Sequence, residues 1–212
     1  MKVNYHRIST RILAAGLAVG GLFYGLTATA LVPREEGTPL KLVSFAVDLG
    51  VSNLSRRHRL GLPGARRAGI VEINVDRWSS NQERDSLLDT LRTQGENSLL
   101  SSLQETKRVG FIRTPDRLGW DLHFATETPT NDGGRDIVIA TDRPIRFWEA
   151  ANLTRTLRYP FTVIEIHLGK DGKGEGRMST AAKLSMSKDG KTLELENYST
   201  QPVILEKVAE QR

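Results

Sequence analysis

FTVIEIHLGKDGKGEGRMSTAAKLSMSKDGKTLELE, residues 161–196, is the stretch whose reading decides the fold. It contains the same turn twice, Lys170-Asp171-Gly172-Lys173 and Lys188-Asp189-Gly190-Lys191, each set between runs of alternating apolar and polar residues. Asp-Gly in such a setting is a strong hairpin signal, because glycine takes the positive φ that tight turns require. A β-meander from Phe161 to Val208 is therefore expected.

The register of each hairpin follows from face chemistry, since directly opposed residues of an antiparallel pair share a face. A two-residue loop at Asp171-Gly172 sets Ile166 against Arg177 and mixes the faces. A three-residue loop, Lys170 to Gly172 with Gly172 as a left-handed bulge, sets Ile164 against Met178, Ile166 against Gly176 and Leu168 against Gly174. Glu165 then meets Arg177 on the other face. The second turn gives the opposite answer. A two-residue loop, Asp189-Gly190, pairs Met186 with Leu193, Leu184 with Leu195 and Lys183 with Glu196. The twin tetrapeptides are thus expected to form different turns. Met178, Thr180, Ala182, Leu184 and Met186 are expected on one inner face. The strand between the turns is long, and Gly174 and Gly176 are expected to let it bend. Val203 to Val208 closes the series, with Pro202 at its start suiting an edge.

Outward from this region, Gly69 to Trp78 alternates as a strand with Val71, Ile73 and Val75 inward. Ser80-Asn81-Gln82-Glu83 is a capping box, and Gly95 suits a helix end. Ser86-Leu87-Leu88-Asp89-Thr90-Leu91 is echoed by Ser98-Leu99-Leu100-Ser101-Ser102-Leu103, which predicts a two-helix hairpin with its leucines against the sheet. Strands are predicted at Arg108–Thr114, at Trp120–Thr128 (Trp120, Leu122 and Phe124 on one face) and at Arg135–Thr141. The last is apolar on both faces, as in a covered central strand. Phe147 to Leu157 reads ambiguously.

The N-terminal residues carry an address. Lys2, Arg7 and Arg11 precede a 15-residue apolar run, Ile12 to Leu26, which ends in Thr27-Ala28-Thr29-Ala30. That is the pattern of a cleaved export signal over residues 1–30, leading to a periplasmic or extracellular location. The chain has no cysteine, which excludes thiol catalysis and cysteine metal sites and fits a bacterial exported protein. Residues 31–68, with three prolines and the clusters Arg56-Arg57-His58-Arg59 and Arg66-Arg67, read as a basic, poorly ordered arm. Leu40 to Val51 within it is apolar enough to pack on the core. Contact with a membrane is expected only through the signal segment or this arm, whose arginines suit anionic lipid.

Charge argues against nucleic acid. Three of the 30 basic residues lie in the signal, leaving 27 against 25 acidic; residues 31–68 hold seven basic and three acidic, so residues 69–212 carry 20 basic and 22 acidic. A near-neutral domain lacks the field that nucleic-acid binding needs.

No Gly-x-Ser-x-Gly, His-Glu-x-x-His or EF-hand pattern occurs, and no cofactor or metal is implied. The glycines of Gly169 to Gly176 lead into a strand rather than a helix, so they are turn and bend residues and not a phosphate loop. Trp78, Trp120 and Trp148 read as core anchors. Arg113, Arg117, Arg143 and Arg146 flank loops and suit solvated positions or an anion pocket. The candidate ligand-binding residues are Trp120, His123, Glu165 and His167. The two histidines sit on the polar parity of their strands beside Asp121 and Glu165. If those strands are neighbours, the imidazoles and carboxylates converge as an acid/base or metal site.

Trp78-Ser79-x-x-x-Glu83-Arg84, Val109-Gly110-Phe111-Ile112-Arg113-Thr114-Pro115, Leu118-Gly119-Trp120-Asp121-Leu122 and Glu194-Leu195-Glu196-Asn197-Tyr198 resemble uncharacterised exported proteins of bacteria. The resemblance spans residues 69–212 and implies an address without an activity. The expected architecture is α+β: a curved, barrel-like antiparallel sheet of about seven or eight strands, with a two-helix hairpin inserted after the first strand. The expected function is a non-enzymatic envelope module that binds a small apolar ligand or a protein partner. The alternative is a hydrolase or metal-dependent enzyme using His123, Glu165 and His167.

Overall fold

The computed structural model describes residues 12–13, 39–48, 67–116, 118–145, 159–187, 192–197 and 201–211. Its elements are β1 (Ile12–Leu13), β2 (Leu40–Asp48), β3 (Arg67–Val75), α1 (Asn81–Gln94), α2 (Glu96–Glu105), β4 (Gly110–Arg113), β5 (Trp120–Leu122), β6 (Phe124–Pro129), β7 (Arg135–Thr141), β8 (Phe161–Leu168), β9 (Lys173–Met186), β10 (Thr192–Asn197) and β11 (Val203–Glu210). The strands form one antiparallel sheet in the order β5-β4-β3-β2-β11-β9-β8-β7-β6, with β10 branching from β9. The two ends of that order, β5 and β6, are consecutive in the chain and separated by His123 alone. The sheet therefore curls until it is nearly closed. His123 N–H donates to Ala140 O at 3.1 Å, and Thr141 Oγ1 donates to Asp121 O at 2.7 Å, which ties β5 to the end of β7. The α+β class and the curved antiparallel sheet are as the sequence predicts.

The barrel interior is packed with aliphatic side chains, including Leu42, Val71, Ile73, Ile112, Ile139, Ile164, Met178 and Leu205, all buried. Filling by side chains is what a barrel of about eight strands leaves room for. Trp78 and Trp120 pack against this cluster as anchors; Trp148 lies outside the described residues. A second apolar cluster lies on the outside of the sheet beneath the helices, with Leu91, Leu99 and Leu103 against Phe161, Val163, Ala182 and Leu184. Strand β7 has a face in each, with Ile137 and Ile139 inside and Val138 and Ala140 under the helices.

The hairpin registers match face chemistry at both turns. Ile164 opposes Met178, Ile166 opposes Gly176, Leu168 opposes Gly174 and Glu165 opposes Arg177. Gly172 has φ +72°, the left-handed bulge position. At the second hairpin Met186 opposes Leu193, Leu184 opposes Leu195 and Lys183 opposes Glu196. The turn residues Lys188–Lys191 themselves lie outside the described residues, as do residues 147–157.

Four expectations change. First, Met178, Ala182, Leu184 and Met186 do not share one face. A register shift between Phe161 and Val163 sets Thr180 and Ala181 against Thr162, so β9 is bulged there. Met178 points into the barrel, and Ala182 and Leu184 point at the helices. Second, Trp120–Thr128 is two strands. The break at His123 reverses the alternation, so Leu122 and Ala125 both face the interior while Phe124 lies under the helices. Third, β11 is not an edge: it pairs with β9 on one side and β2 on the other. Pro202 precedes the strand and removes no ladder hydrogen bond. Fourth, Leu40–Asp48, which lies within the segment read as an arm but is apolar enough to pack on the core, is an internal strand between β11 and β3. Leu40, Leu42 and Ala46 are fully buried on one parity, so the folded domain begins N-terminal to Gly69.

The helical hairpin is held at three points. Ser80 caps α1 through both bonds of the capping box: its Oγ accepts from Glu83 N–H at 3.1 Å, and its own N–H donates to the Glu83 carboxylate at 2.7 Å. Arg77 forks onto Glu83 with two bonds of 3.0 Å and donates to Lys107 O at 2.7 Å, joining the start of α1 to the chain leaving α2. Gly95, at φ +85°, ends α1 and begins α2.

Candidate functional site

The site begins with the leucine repeat. Spacing of i, i+3 and i+4 puts Leu87, Leu88 and Leu91 on one side of α1, and Leu99 and Leu103 on one side of α2. Both stripes turn to the outer face of the sheet, where they and the strands leave an apolar pocket of about 90 Å³. Its floor is Phe124, Val138, Ala140 and Val163; its far wall is Leu184, Leu193 and Leu195, from the part of β9 and β10 that projects past the barrel. Arg84 is the charged residue among those lining it. The β9 bulge builds that wall, because without it Leu184 would turn to the other face. Glu96, at the start of α2, accepts the backbone N–H of Leu184 at 3.0 Å and clamps the helices to β9. Burial raises the Glu96 carboxyl above its usual range, against the bond from Leu184 and the charge of Lys183.

The polar candidates lie elsewhere and apart from one another. His123 sits at the barrel closure, with Nδ1 3.1 Å from Thr106 O and Nε2 3.7 Å from Asp142 Oδ1. A carbonyl only accepts, so Nδ1 carries the proton and Nε2 faces the carboxylate. Burial pushes Asp142 up, but two bonds from Arg143, at 2.9 and 3.2 Å, together with the charges of Arg143 and His123, hold it below its usual value. His167 lies toward the other end of β7. Its Nδ1 is 2.7 Å from Asp136 Oδ1, and its Nε2 is 3.2 Å from Asp132 Oδ2. Asp136 and Asp142 are six residues apart across an extended strand, about 20 Å. Glu165 is paired with Arg177 at 2.6 Å, and Trp120 packs on the interior cluster. Trp120, His123, Glu165 and His167 therefore do not converge.

Of the four arginines, Arg113 is paired with Glu72 at 2.7 Å and Arg143 with Asp142; Arg117 and Arg146 lie outside the described residues. Among the described residues, no group of three or more histidines and carboxylates is placed to hold a metal ion. The Leu-Leu-x-x-Leu repeat marks five of the thirteen lining residues in the sequence. The wall from β9 and β10 has no such mark, because it depends on the bulge.

The chain matches no protein-family profile, and comparison with characterised proteins and with solved structures gives no significant match.

Proposed function

We propose that this is an exported, non-enzymatic envelope protein that holds a small apolar ligand between its helical hairpin and the outer face of its sheet. The observation that carries this reading is the pocket itself, whose exposed lining is wholly apolar. Its 90 Å³ is well below the roughly 300–1,000 Å³ of pockets that enclose drug-sized molecules. It suits a short aliphatic chain, or one apolar side chain of a protein partner. The N-terminal pattern supports export; apart from Ile12–Leu13 it lies outside the described residues. The separation of His123, Glu165 and His167 gives no support to the hydrolase or metal-enzyme alternative.

The test is titration with a fluorescent fatty acid, read against a Leu87→Lys variant. Leu87 lines the pocket and is only partly buried, so the variant is expected to fold. Saturable binding that Leu87→Lys weakens at least tenfold, about 1.4 kcal/mol, is the expected result. Equal binding by both proteins, or none by either, would sink the ligand reading.

A further inference from the structure

Past the end of β8 the sheet narrows to a ribbon of β9 and β10, and both edges of that ribbon need cover. A two-stranded ribbon is marginal by itself, and a bare edge presents unpaired N–H and C=O groups to other strands. On the β9 side the cover comes from a helix. Glu96 of α2 accepts the backbone N–H of Leu184 at 3.0 Å, beyond Ala182, the last residue of β9 that β8 reaches. On the β10 side it comes from the N-terminal end of the chain. β1 pairs antiparallel with β10, with Ile12 opposite Leu193 and Leu13 opposite Thr192. Among the described residues, β1 is the one strand on that edge.

This edge is also a wall of the apolar pocket. Leu193 and Leu195 line the pocket, and Glu194 between them is exposed. Directly opposed residues of an antiparallel pair share a face, so position 12 falls on the pocket face, at the rim that Leu193 forms, and position 13 falls on the face of Glu194. An apolar extended segment is what strand addition beside an apolar pocket selects. Ile12–Leu13 opens the apolar run Ile12–Leu26, which has the pattern of an export signal. A chain that keeps this run has its pocket rim covered, and a chain that loses it has the rim bare.

We infer that the N-terminal apolar segment is an intramolecular competitor for the pocket. Added to β10 it obstructs the rim over Leu193, and its removal on export opens the site to ligand. The inference rests on the reading of the pocket as a ligand site and assigns the regulation of that site.

The cysteine-free chain allows the contact to be locked. Leu13→Cys and Thr192→Cys together put two thiols at directly opposed positions outside the pocket lining. In the full chain a mild oxidant is expected to join them within one molecule. The fluorescent fatty acid is then expected to bind at least tenfold more weakly to the oxidised protein than to the reduced one. Ile12→Pro and Leu13→Pro together remove both N–H donors of β1 and should tighten binding at least tenfold. Each protein is compared with its own Leu87→Lys version, which separates binding in the pocket from binding to the apolar run. Equal binding by the oxidised and reduced proteins, or proline variants that bind no tighter than the parent, would overturn the inference and leave the pocket reading standing. Cysteines that fail to join, or that join between two molecules, would overturn it by removing the contact. Absence of any binding that Leu87→Lys weakens, in all of these proteins, would sink the pocket reading and the inference with it.

Discussion

His167 shows what a single side chain contributes once its neighbours are known. The hydrogen bond that its Nδ1–H donates to Asp136 raises its pKa above the ordinary value of 6.5, against the opposing effect of burial and with help from the charge of Asp132. A group raised in the folded state adds stability that is fully present below the unfolded pKa. That stability is lost as pH rises through the folded one. Unfolding by urea should therefore become easier by a few tenths of a kcal/mol between about pH 6 and pH 8, the effect being small because the ring is nearly half exposed. His167→Gln should flatten that dependence; an unchanged slope would place its origin elsewhere. Sequence alone shows His167 beside Glu165. It does not show Asp132 and Asp136, which reach the ring only because β7 pairs with β8 in a register that sets Asp136 opposite His167. Residue identity was legible, and partnership across strands was not.

Among the elements, β9 carries the most consequence. Its N-terminal half is an ordinary barrel strand between β8 and β11, and its C-terminal half leaves the barrel with β10 to wall the pocket. Gly174 makes the first half fit. A Cβ there would lie 1.8 Å from His167 O, a backbone atom that cannot move aside without breaking the ladder. Gly174→Ala should cost about 1–3 kcal/mol by urea or thermal unfolding, as overpacking does. A loss below 0.5 kcal/mol, about the effect of a surface change, would show that β8 and β9 can part without harm. Both hairpin registers were readable because opposed side chains must agree in polarity. The bulge at Thr180-Ala181 was not readable. Ser179-Thr180-Ala181-Ala182 is small and polarity-neutral, so alternation can slip by one residue there without putting a charge inside. Similarly, Leu40–Asp48 alternates well enough for a strand. The stretch before it holds Pro33 and Pro39 and the stretch after it is basic with Pro63, and that masked its membership of the sheet.

For the whole molecule, the decisive feature is closure, and it rests on a strand interruption one residue long. Trp120 to Thr128 alternates so regularly that a straight strand is the natural reading. A straight strand would leave the sheet open, with β4 and β7 as unjoined edges. The turn at His123 lets Trp120–Leu122 pair with β4 and Phe124–Pro129 pair with β7. His123 is held on both sides, by Thr106 O from the end of α2 and by Asp142 from the end of β7. Closure is thereby linked to the helical hairpin that roofs the pocket. Thr141 supplies the complementary bond, donating from its fully buried hydroxyl to Asp121 O. Thr141→Val keeps the shape and removes that donor, leaving a carbonyl without it at the seam. The expected cost is about 1–3 kcal/mol, the range for a buried polar group deprived of its partner. If closure depends on this bond, the loss should be concentrated at the seam. Amide exchange should then accelerate at His123, whose N–H bonds across it to Ala140 O, while Ile164 and Ile166 in β8 stay protected. Uniform acceleration across all strands would mean that the barrel opens only by global unfolding, and that the bend at His123 is held by packing alone.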